Sequence, residues 1–240
     1  MAIKGKTGQA VKPFVFAVHQ ALMKGRAVAE LSCDSCDGVV VLDFETSGMS
    51  PERGDRAIEV GAVRLVGDQI VDRFQSLMNA GCWINSFIED LTGISNAMVQ
   101  EAPPAAEVMS QFSRFIGDSP LVAHNAAFDR RFLDAELALI GLRRKQEFAC
   151  SLLVARRLYP AAPNHKLQTL VHYHNLPSNG TFHRALADAE MTAHLWRQME
   201  YDVASTYGCG PVPFAVLQGL TRVSKKQADA YLQRHAVRPV

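Results

Sequence analysis

The sequence lacks the features that mark several specialised classes of protein. Its apolar runs fall well short of the ~20 residues that a membrane-spanning helix needs. Its 25 basic and 24 acidic residues leave a formal net charge of +1, so binding to a polyanion would have to use local patches. With 240 residues, of which 48% are hydrophobic, the chain is long enough to bury the core of one globular domain with appendages.

Cysteine is scarce as well, with five residues scattered along the chain. An odd and scattered set argues against a disulfide framework and for a reducing compartment. Cys33 and Cys36 form a single CxxC pair. A structural zinc site would need a second pair of ligands at similar spacing, and none is evident, so we expect incidental thiols here.

The segment before residue 38 begins like a secretory signal peptide, because basic residues precede a short apolar stretch at 14–18. His19 and Gln20 interrupt that stretch, and further basic residues follow it. We therefore interpret the segment as a helical extension and expect a cytoplasmic protein that makes no membrane contact.

A short strand followed by two acids organises the rest of the chain. Residues 39–42 (VVVL) are typical of a strand that is buried on both faces. Asp43 and Glu45 follow, and their spacing puts both side chains on one face of the strand, roughly 7 Å apart at the backbone. Two converging acids repel each other and lose solvation, which a bound cation would remedy. The alternative is that they merely mark a solvated strand end.

Hydrophobic patterning predicts a mixed sheet. Three apolar segments joined by turn-forming residues predict an antiparallel meander, and two further short strands alternate with helices. The predicted strands are 39–45, 57–65, 69–78, 120–125 and 148–150. The predicted helices are 105–116, 126–140, 151–158, 167–174 and 184–201, with a short one near 86–91. This order predicts an α/β fold whose five-stranded sheet is part antiparallel and part parallel, flanked by helices.

The chain changes character after the last of these helices. Glycine and proline cluster at 208–213, and two short helices are predicted at 214–220 and 224–235. The sequence therefore predicts three parts, which are an N-terminal helical extension (1–37), a main domain (38–202) and a C-terminal helical appendage (203–240).

Three more candidate catalytic or metal-binding residues lie downstream of the first two acids. Asp129 is expected in the first turn of a helix, where an acid is also an ordinary stabilising residue. Asp188 lies five residues after His183, and its neighbours 185, 187 and 189 are alanines. Small neighbours would let this helix approach the sheet closely and bring the carboxylate inward. His183 taken alone would more often be a capping or surface histidine.

Three segments, in order along the chain, carry a family resemblance. Residues 43–48 (DFETSG), 124–129 (HNAAFD) and 183–189 (HRALADA) resemble the three exonuclease motifs of the DEDD superfamily. The histidine five residues before the last acid is typical of its DEDDh branch. The pattern is similar to the epsilon proofreading subunit of bacterial DNA polymerase III and its relatives, and the likeness extends over residues 38–200.

The resemblance implies a ribonuclease H-like fold for the main domain, and 3′→5′ hydrolysis of phosphodiesters by a two-metal mechanism. It implies that four carboxylates hold two divalent ions, Mg²⁺ or Mn²⁺, which accept hard oxygen ligands of this kind. These carboxylates are Asp43, Glu45, Asp129 and Asp188. His183 would then be the general base that takes a proton from the attacking water.

Substrate contacts are expected at two positions of the first motif. By family likeness, Thr46 would meet the terminal nucleotide through its backbone and Met49 would pack on the base. Their alternative roles are those of a turn residue and a partly exposed apolar residue. His124 is expected to be a structural histidine. Arg156 and Arg157 could meet phosphates, although charged pairs on helices usually just face solvent.

Three functional hypotheses remain open. The first is a proofreading or repair exonuclease that acts on DNA 3′ ends, with single-stranded DNA favoured. The second is an exoribonuclease that trims RNA 3′ ends, because motifs that bind metal and phosphate do not report the sugar. The third is an accessory subunit that binds a DNA polymerase through residues 11–31 or 203–240.

Overall fold

The computed structural model describes residues 38–178, 180 and 182–236. The predicted N-terminal helical extension, 1–37, lies outside these residues. Among the helices that are described, none is both long and apolar enough to cross a membrane.

A five-stranded sheet forms the centre of the described region. Its strands are β1 (Gly38–Thr46), β2 (Ala57–Val66), β3 (Gln69–Leu77), β4 (Leu121–Ala123) and β5 (Phe148–Cys150). Their order in the sheet is β3-β2-β1-β4-β5. The first three strands are antiparallel neighbours, whereas β4 and β5 run parallel to β1. Gly67, with a φ of +56°, permits the tight turn between β2 and β3. The predicted mixed sheet is thus confirmed.

Helices flank this sheet. They are α1 (Ser86–Thr92), α2 (Asn96–Glu101), α3 (Ala105–Ile116), α4 (Ala127–Leu139), α5 (Ser151–Leu158), α6 (Leu167–Tyr173), α7 (Ala185–Tyr207), α8 (Phe214–Leu220) and α9 (Ala228–His235). Short 3-10 helices at Pro51–Arg53 and Lys225–Gln227 complete the described elements.

The sheet is covered on both faces, and β1 shows this division most clearly. Val39 and Val41 belong to a core shared with helices α5 to α9. Val40 and Leu42 belong to a second core, shared with α3 and α4. None of the four is more than 8% exposed. A strand buried on both faces needs an unbroken apolar run, which explains the sequence of this segment.

Several element ends differ from the predicted ones, and local backbone geometry explains the differences. The strand predicted to reach residue 125 stops at Ala123, and Asn125 has a left-handed φ of +72° before α4 begins. Helix α7 continues to Tyr207, where Gly208 supplies a left-handed cap. Helix α2 was not predicted, because it spans only six residues and depends on capping of the Met98 N–H by the Ser95 side chain.

Helices α8 and α9 pack on the core that also supports α7. Leu217 of α8 is fully buried, and Leu232 of α9 is 1% exposed. The rings of Trp196 in α7 and Phe214 in α8 have centroids 6.0 Å apart. The residues predicted as a C-terminal appendage therefore contribute to the core beside α7, while their independence as a unit stays a prediction.

Candidate active site

Two of the predicted metal-binding carboxylates lie near the end of β1, after its apolar run. Asp43 and Glu45 continue the side-chain alternation of Val41, which belongs to the core on the α7 face of the sheet. Residues two apart on a strand point to the same face, so both carboxylates are directed to the α7 side. In the antiparallel pairing with β2, Asp43 lies opposite Gly61 and Glu45 lies opposite Glu59.

Gly61 explains why α7 can begin directly over this part of the sheet. A Cβ atom at position 61 would collide with the backbone of Ala185 and Leu186, in the first turn of α7. Glycine in a strand interior often marks such a close approach of another backbone. Ala185 and Ala189 are fully buried on the helix. The alanines of α7 predicted this close approach from the sequence. Gly61, the residue of the sheet that permits it, was not predicted to have this role.

His183 and Asp188 are held together at the start of α7. The backbone N–H of His183 donates to Asp188 Oδ2 at 2.9 Å. This hydrogen bond goes with a left-handed backbone at His183, whose φ is +60° and is uncommon for a residue other than glycine. Asp188 is 8% exposed, whereas the His183 side chain is exposed and lines a cleft. The geometry thus separates a buried acid from an accessible imidazole.

Asp129 reaches the same end of the sheet from the opposite layer. It lies in the first turn of α4 and is 2% exposed. Its Oδ1 accepts a hydrogen bond from the backbone N–H of Phe44 at 3.2 Å. Because Phe44 stands between Asp43 and Glu45 on β1, this bond ties Asp129 to the strand that carries the first two acids.

The four carboxylates share an environment that disfavours their charged forms. Burial, followed by repulsion from Asp129, raises the pKa of Asp43 well above its ordinary value. Burial and then Asp188 raise the pKa of Glu45 to about 8. Burial raises the pKa of Asp129 to about 7, although two backbone N–H donors oppose the shift. Burial also raises the pKa of Asp188. These shifts are those of a site that is short of positive charge.

The donor set fits a divalent cation. One ligand atom from each of Glu45, His183 and Asp188 lies within 4.8 Å of the others. Asp43 is close enough to Asp188 and Glu45 to feel the repulsion of both charges. Oxygen-rich, carboxylate-dominated sites suit Mg²⁺ and Mn²⁺. A bound cation would supply the positive charge that the site lacks.

An ion pair between a buried glutamate and a partly exposed arginine, outside the predicted site, fixes the start of α7. Glu59 of β2 is fully buried. It accepts hydrogen bonds from Arg184 Nη2 at 2.9 Å and from Arg184 Nε at 3.2 Å. It also accepts the backbone N–H of Ala185 at 3.1 Å. This pair was not predicted, although the sequence carries one signal of it, because Glu59 is a lone acid inside the apolar strand 57–65.

The two predicted substrate residues lie where β1 ends. Thr46 is 6% exposed, and its hydroxyl donates to the Gly48 carbonyl at 2.6 Å, which closes the turn. Met49 is 72% exposed. The loop is closed again further on, because the Arg56 N–H donates to Ser47 Oγ at 2.9 Å. Met49 is therefore an exposed apolar side chain on a braced loop, whereas the Thr46 side chain serves the turn itself.

A second ion pair of this kind, with a buried glutamate and a partly exposed arginine, braces this loop from the other layer. Glu136 of α4 is 2% exposed. It accepts hydrogen bonds from Nε and Nη2 of Arg56, each at 2.8 Å. It also accepts the backbone N–H of Ala57 at 3.1 Å. This pair likewise escaped the sequence analysis, since a glutamate on a helix ordinarily faces solvent.

A cleft of about 780 Å³ opens beside the carboxylates. The residues that line it include Asp43, His183 and Asp188 together with two basic residues, Arg156 and Lys166. Both cations are exposed, and neither forms an ion pair within the described part of the chain. The cleft therefore brings together acids that attract metal ions and cations that attract phosphate.

His124, at the end of β4, has both ring nitrogens engaged. Its Nε2–H donates to the His165 carbonyl at 2.9 Å, and its Nδ1 lies 2.9 Å from Ser151 Oγ. Burial lowers the pKa of His124 to about 4, so the ring is neutral. These contacts agree with the expected structural role, which here is to fix the loop before α6 against β4 and α5.

Comparisons with known proteins identify the same region of the chain. The family model RNase_T, described as an exonuclease, matches residues 40–196. The PolC-type DNA polymerase III of Caldanaerobacter subterraneus subsp. tengcongensis is 39% identical over 160 residues, covering 67% of this chain and 11% of the relative. That of Bacillus subtilis is 39% identical over 167 residues, covering 69% and 12%. The chain thus spans about a tenth of the length of these curated relatives.

Solved structures extend the likeness to the fold. Exonuclease X, in complex with 5′ overhanging duplex DNA, is 26% identical with a TM-score of 0.59, and the match covers 75% of this chain and 99% of that one. The nuclease domain of 3′hExo, a DEDDh family member bound to rAMP, is 21% identical with a TM-score of 0.59, covering 69% and 92%. At this lower identity the likeness shows the fold alone.

The family match covers more than half of the chain, and the three motif segments meet at one end of its sheet. The chain belongs to the exonuclease family, and residues 40–196 match the family's exonuclease domain.

Proposed function

We propose that this chain is a metal-dependent 3′→5′ exonuclease that hydrolyses phosphodiesters at DNA 3′ ends. The observation that carries the proposal is the cluster of Glu45, His183 and Asp188 ligand atoms within 4.8 Å, beside the half-buried Asp43. Buried acids with raised pKa values and an accessible imidazole at the edge of a cleft are the groups that metal-assisted phosphodiester hydrolysis uses.

Four carboxylates would hold two Mg²⁺ or Mn²⁺ ions, namely Asp43, Glu45, Asp129 and Asp188. When bound, the ions supply Lewis-acid charge that offsets the charge developing on the phosphoryl group. The protein holds the acids at the end of β1 by strand pairing, by the Phe44–Asp129 hydrogen bond and by the seat of α7 on Gly61.

His183 is proposed as the general base that accepts a proton from the attacking water. Imidazole is the side chain that titrates closest to neutral pH, which suits proton transfer there. The backbone hydrogen bond to Asp188 fixes the residue while leaving the ring free to face the cleft.

The cleft is proposed to bind the 3′-terminal part of the strand. Met49 would pack on the terminal base, and the backbone at Thr46 would meet the nucleotide. Arg156 and Lys166 line the same cleft as the acids and would attract the backbone phosphates. Such contacts position a strand without reading its sequence.

DNA is proposed as the substrate because of what the relatives are. The curated relatives are named DNA polymerase III, and Exonuclease X was solved with duplex DNA. The same naming supports a DNA polymerase as a partner of this chain, with residues 1–37 and 203–240 as the parts outside the nuclease domain. RNA trimming remains the competing function, and the experiment below separates the two.

The test uses 5′-labelled single-stranded DNA and RNA of one sequence, incubated with the full chain and Mg²⁺ or Mn²⁺. We expect a ladder that shortens from the 3′ end, faster on DNA, and abolished by chelator or by Asp43→Asn. The matched control is Asp72→Asn, an exposed acid on β3 outside the site, which should retain the ladder. Faster degradation of RNA would overturn the DNA assignment, and a ladder that survives in Asp43→Asn would overturn the site.

A further inference from the structure

Glu59 is the most completely satisfied acid near the site, and it belongs to none of the three motifs. Its side chain is 1% exposed. Its Oε1 accepts hydrogen bonds from Arg184 Nη2 and from Gln75 Nε2, each at 2.9 Å. Its Oε2 accepts Arg184 Nε at 3.2 Å and the Ala185 N–H at 3.1 Å. A buried carboxylate with four donors is an ordered structural element, because each donor offsets the cost of burying its charge.

The position of Glu59 places this ion pair directly beside a proposed metal ligand. Glu59 and Glu45 are register partners on β2 and β1. Side chains directly opposite in an antiparallel pair lie on the same face, with Cβ atoms roughly 5 Å apart. The Arg184 guanidinium therefore lies near two carboxylates, and its charge favours ionisation of Glu45.

Arg184 nevertheless directs its hydrogen bonds to Glu59. Its Nε and NH2 groups both reach Glu59, and within the described residues no hydrogen bond joins it to Glu45. A guanidinium matches one carboxylate in a two-point geometry, so the partner that offers both oxygens retains it. Glu45 is the other acid whose charge acts on Arg184, so without Glu59 it would be available for such a pair.

An arginine paired with Glu45 would compete with a cation for the same oxygens. We propose that Glu59 is a positioning residue that keeps Arg184 engaged, so that Glu45 stays available to a divalent cation. The inference rests on the proposed function, in which Glu45 is a metal ligand. Glu59 touches no substrate in this scheme and acts only through Arg184.

The test measures Mn²⁺ binding to the full chain by electron paramagnetic resonance, without nucleic acid. We expect Glu59→Gln to weaken Mn²⁺ affinity at least 10-fold, because the freed Arg184 would pair with Glu45 and Mn²⁺ would have to displace it. A factor of about 10 is the size of effect expected when one opposite charge acts on a carboxylate. The double variant Glu59→Gln with Arg184→Gln removes the competitor as well and should return the affinity to within about 3-fold of wild type. Equal weakening in the single and double variants would overturn the proposal, since the loss would then come from altered structure.

Glu136→Gln is the matched control. It breaks a pair of the same kind, in which a buried glutamate accepts hydrogen bonds from Nε and Nη2 of a partly exposed arginine, Arg56, and from a backbone N–H. Arg56 is not among the charges that shift the pKa values of the four acids most. We expect this variant to bind Mn²⁺ within about 3-fold of wild type at a similar loss of stability. Weakening that matches Glu59→Gln would overturn the proposal.

Arg184→Gln keeps the inference testable should Glu59→Gln fail to fold. The Arg184 guanidinium can then no longer compete for Glu45, so Mn²⁺ affinity should stay within about 3-fold of wild type or rise. A purely structural role of the pair predicts weaker binding instead, and that result would overturn the inference. A wild-type chain that binds no Mn²⁺ would overturn the proposed function along with it, whereas tight binding by both wild type and Glu59→Gln would overturn this inference alone.

Discussion

Charge balance dominates the behaviour of single residues at the end of β1. Asp43, Glu45, Asp129 and Asp188 are brought together with raised pKa values, and the nearest guanidinium is already engaged by Glu59. Holding like charges together has a cost in free energy, which the folded protein lowers by keeping some of the acids protonated or by binding a cation.

This cost makes the stability of the metal-free protein depend on pH. Glu45 has an ordinary pKa of 4.5 and a folded-state pKa of about 8, so between these values the unfolded chain ionises while the folded chain retains the proton. The free energy of unfolding should therefore fall as the pH rises through this window. Thermal unfolding in chelator should give a lower Tm at pH 7.5 than at pH 5.5.

Glu45→Gln is the informative variant for this prediction. It removes one titrating group, so its Tm should vary less between the two pH values than that of wild type. Added Mn²⁺ should raise the wild-type Tm most at the higher pH, where the ionised acids bind it. A wild-type Tm that rises with pH in chelator would contradict the raised pKa.

His183 should separate chemistry from metal binding. We expect His183→Asn to lower the single-turnover rate on 5′-labelled DNA roughly 10²- to 10⁴-fold, the usual contribution of a general base. Mn²⁺ affinity should change little, because the carboxylates remain. The control is His235→Asn, at the exposed end of α9. If rate and Mn²⁺ affinity fell together, His183 would be a metal ligand instead.

At the scale of elements, the site is a junction of β1, β2, α4 and α7. Strand β2 supplies no predicted ligand, yet the two ion pairs with buried glutamates each involve β2 or the residue before it. Arg56 reaches Glu136 on α4, and Glu59 reaches Arg184 before α7. Helix α4 and the segment that leads into α7 are thus each linked by an ion pair to β2 or to the residue before it.

The seat of α7 on β2 can be tested at one position. Gly61→Ala places a methyl group against the backbone of Ala185 and Leu186, so α7 must shift away from Asp43. We expect a loss of about 1–3 kcal/mol in the free energy of unfolding, typical of overpacking, together with weaker Mn²⁺ binding. Urea unfolding and Mn²⁺ titration measure the two effects.

Gly210→Ala is the control for that substitution, because a Cβ there meets no neighbouring atom. It should leave both the stability and the Mn²⁺ affinity within error of wild type. Wild-type Mn²⁺ affinity in Gly61→Ala would contradict the proposed link between the seat of α7 and the metal site.

At the scale of the whole molecule, the helices after residue 203 belong to the core that supports α7. Leu217 and Leu220 are fully buried in the same cluster as Trp196 and Met199. Burial of this kind couples the stability of α8 to that of α7, since removing either exposes the other. The C-terminal helices should therefore unfold together with the nuclease domain.

Leu217→Ala tests this coupling. It should lower the free energy of unfolding by about 2–5 kcal/mol, the usual cost of truncating a buried leucine, and leave a single transition. Urea unfolding followed by circular dichroism and by tryptophan fluorescence should give coincident curves. Gln233→Ala on the exposed face of α9 is the control. Two separate transitions would support an independent appendage at 203–240.

The sheet and most helices could be predicted from patterns that extend over a few neighbouring residues. Helices α3 and α5 have the predicted bounds, because a proline pair precedes the first and a strand runs directly into the second. The ends of α4 and α7 could not be predicted as well. They depend on the left-handed backbone of Asn125 and on the cap at Gly208.

The sequence by itself determined the family, the fold class and the candidate site residues, because spacing along a strand or a helix is a local property. Only the tertiary structure decided which buried charges meet. Glu59 and Arg184 lie 125 positions apart, and Arg56 and Glu136 lie 80 apart. Their pairing depends on the register between β1 and β2 and on where α4 and α7 dock, and these arise from packing of the whole core rather than from any local pattern.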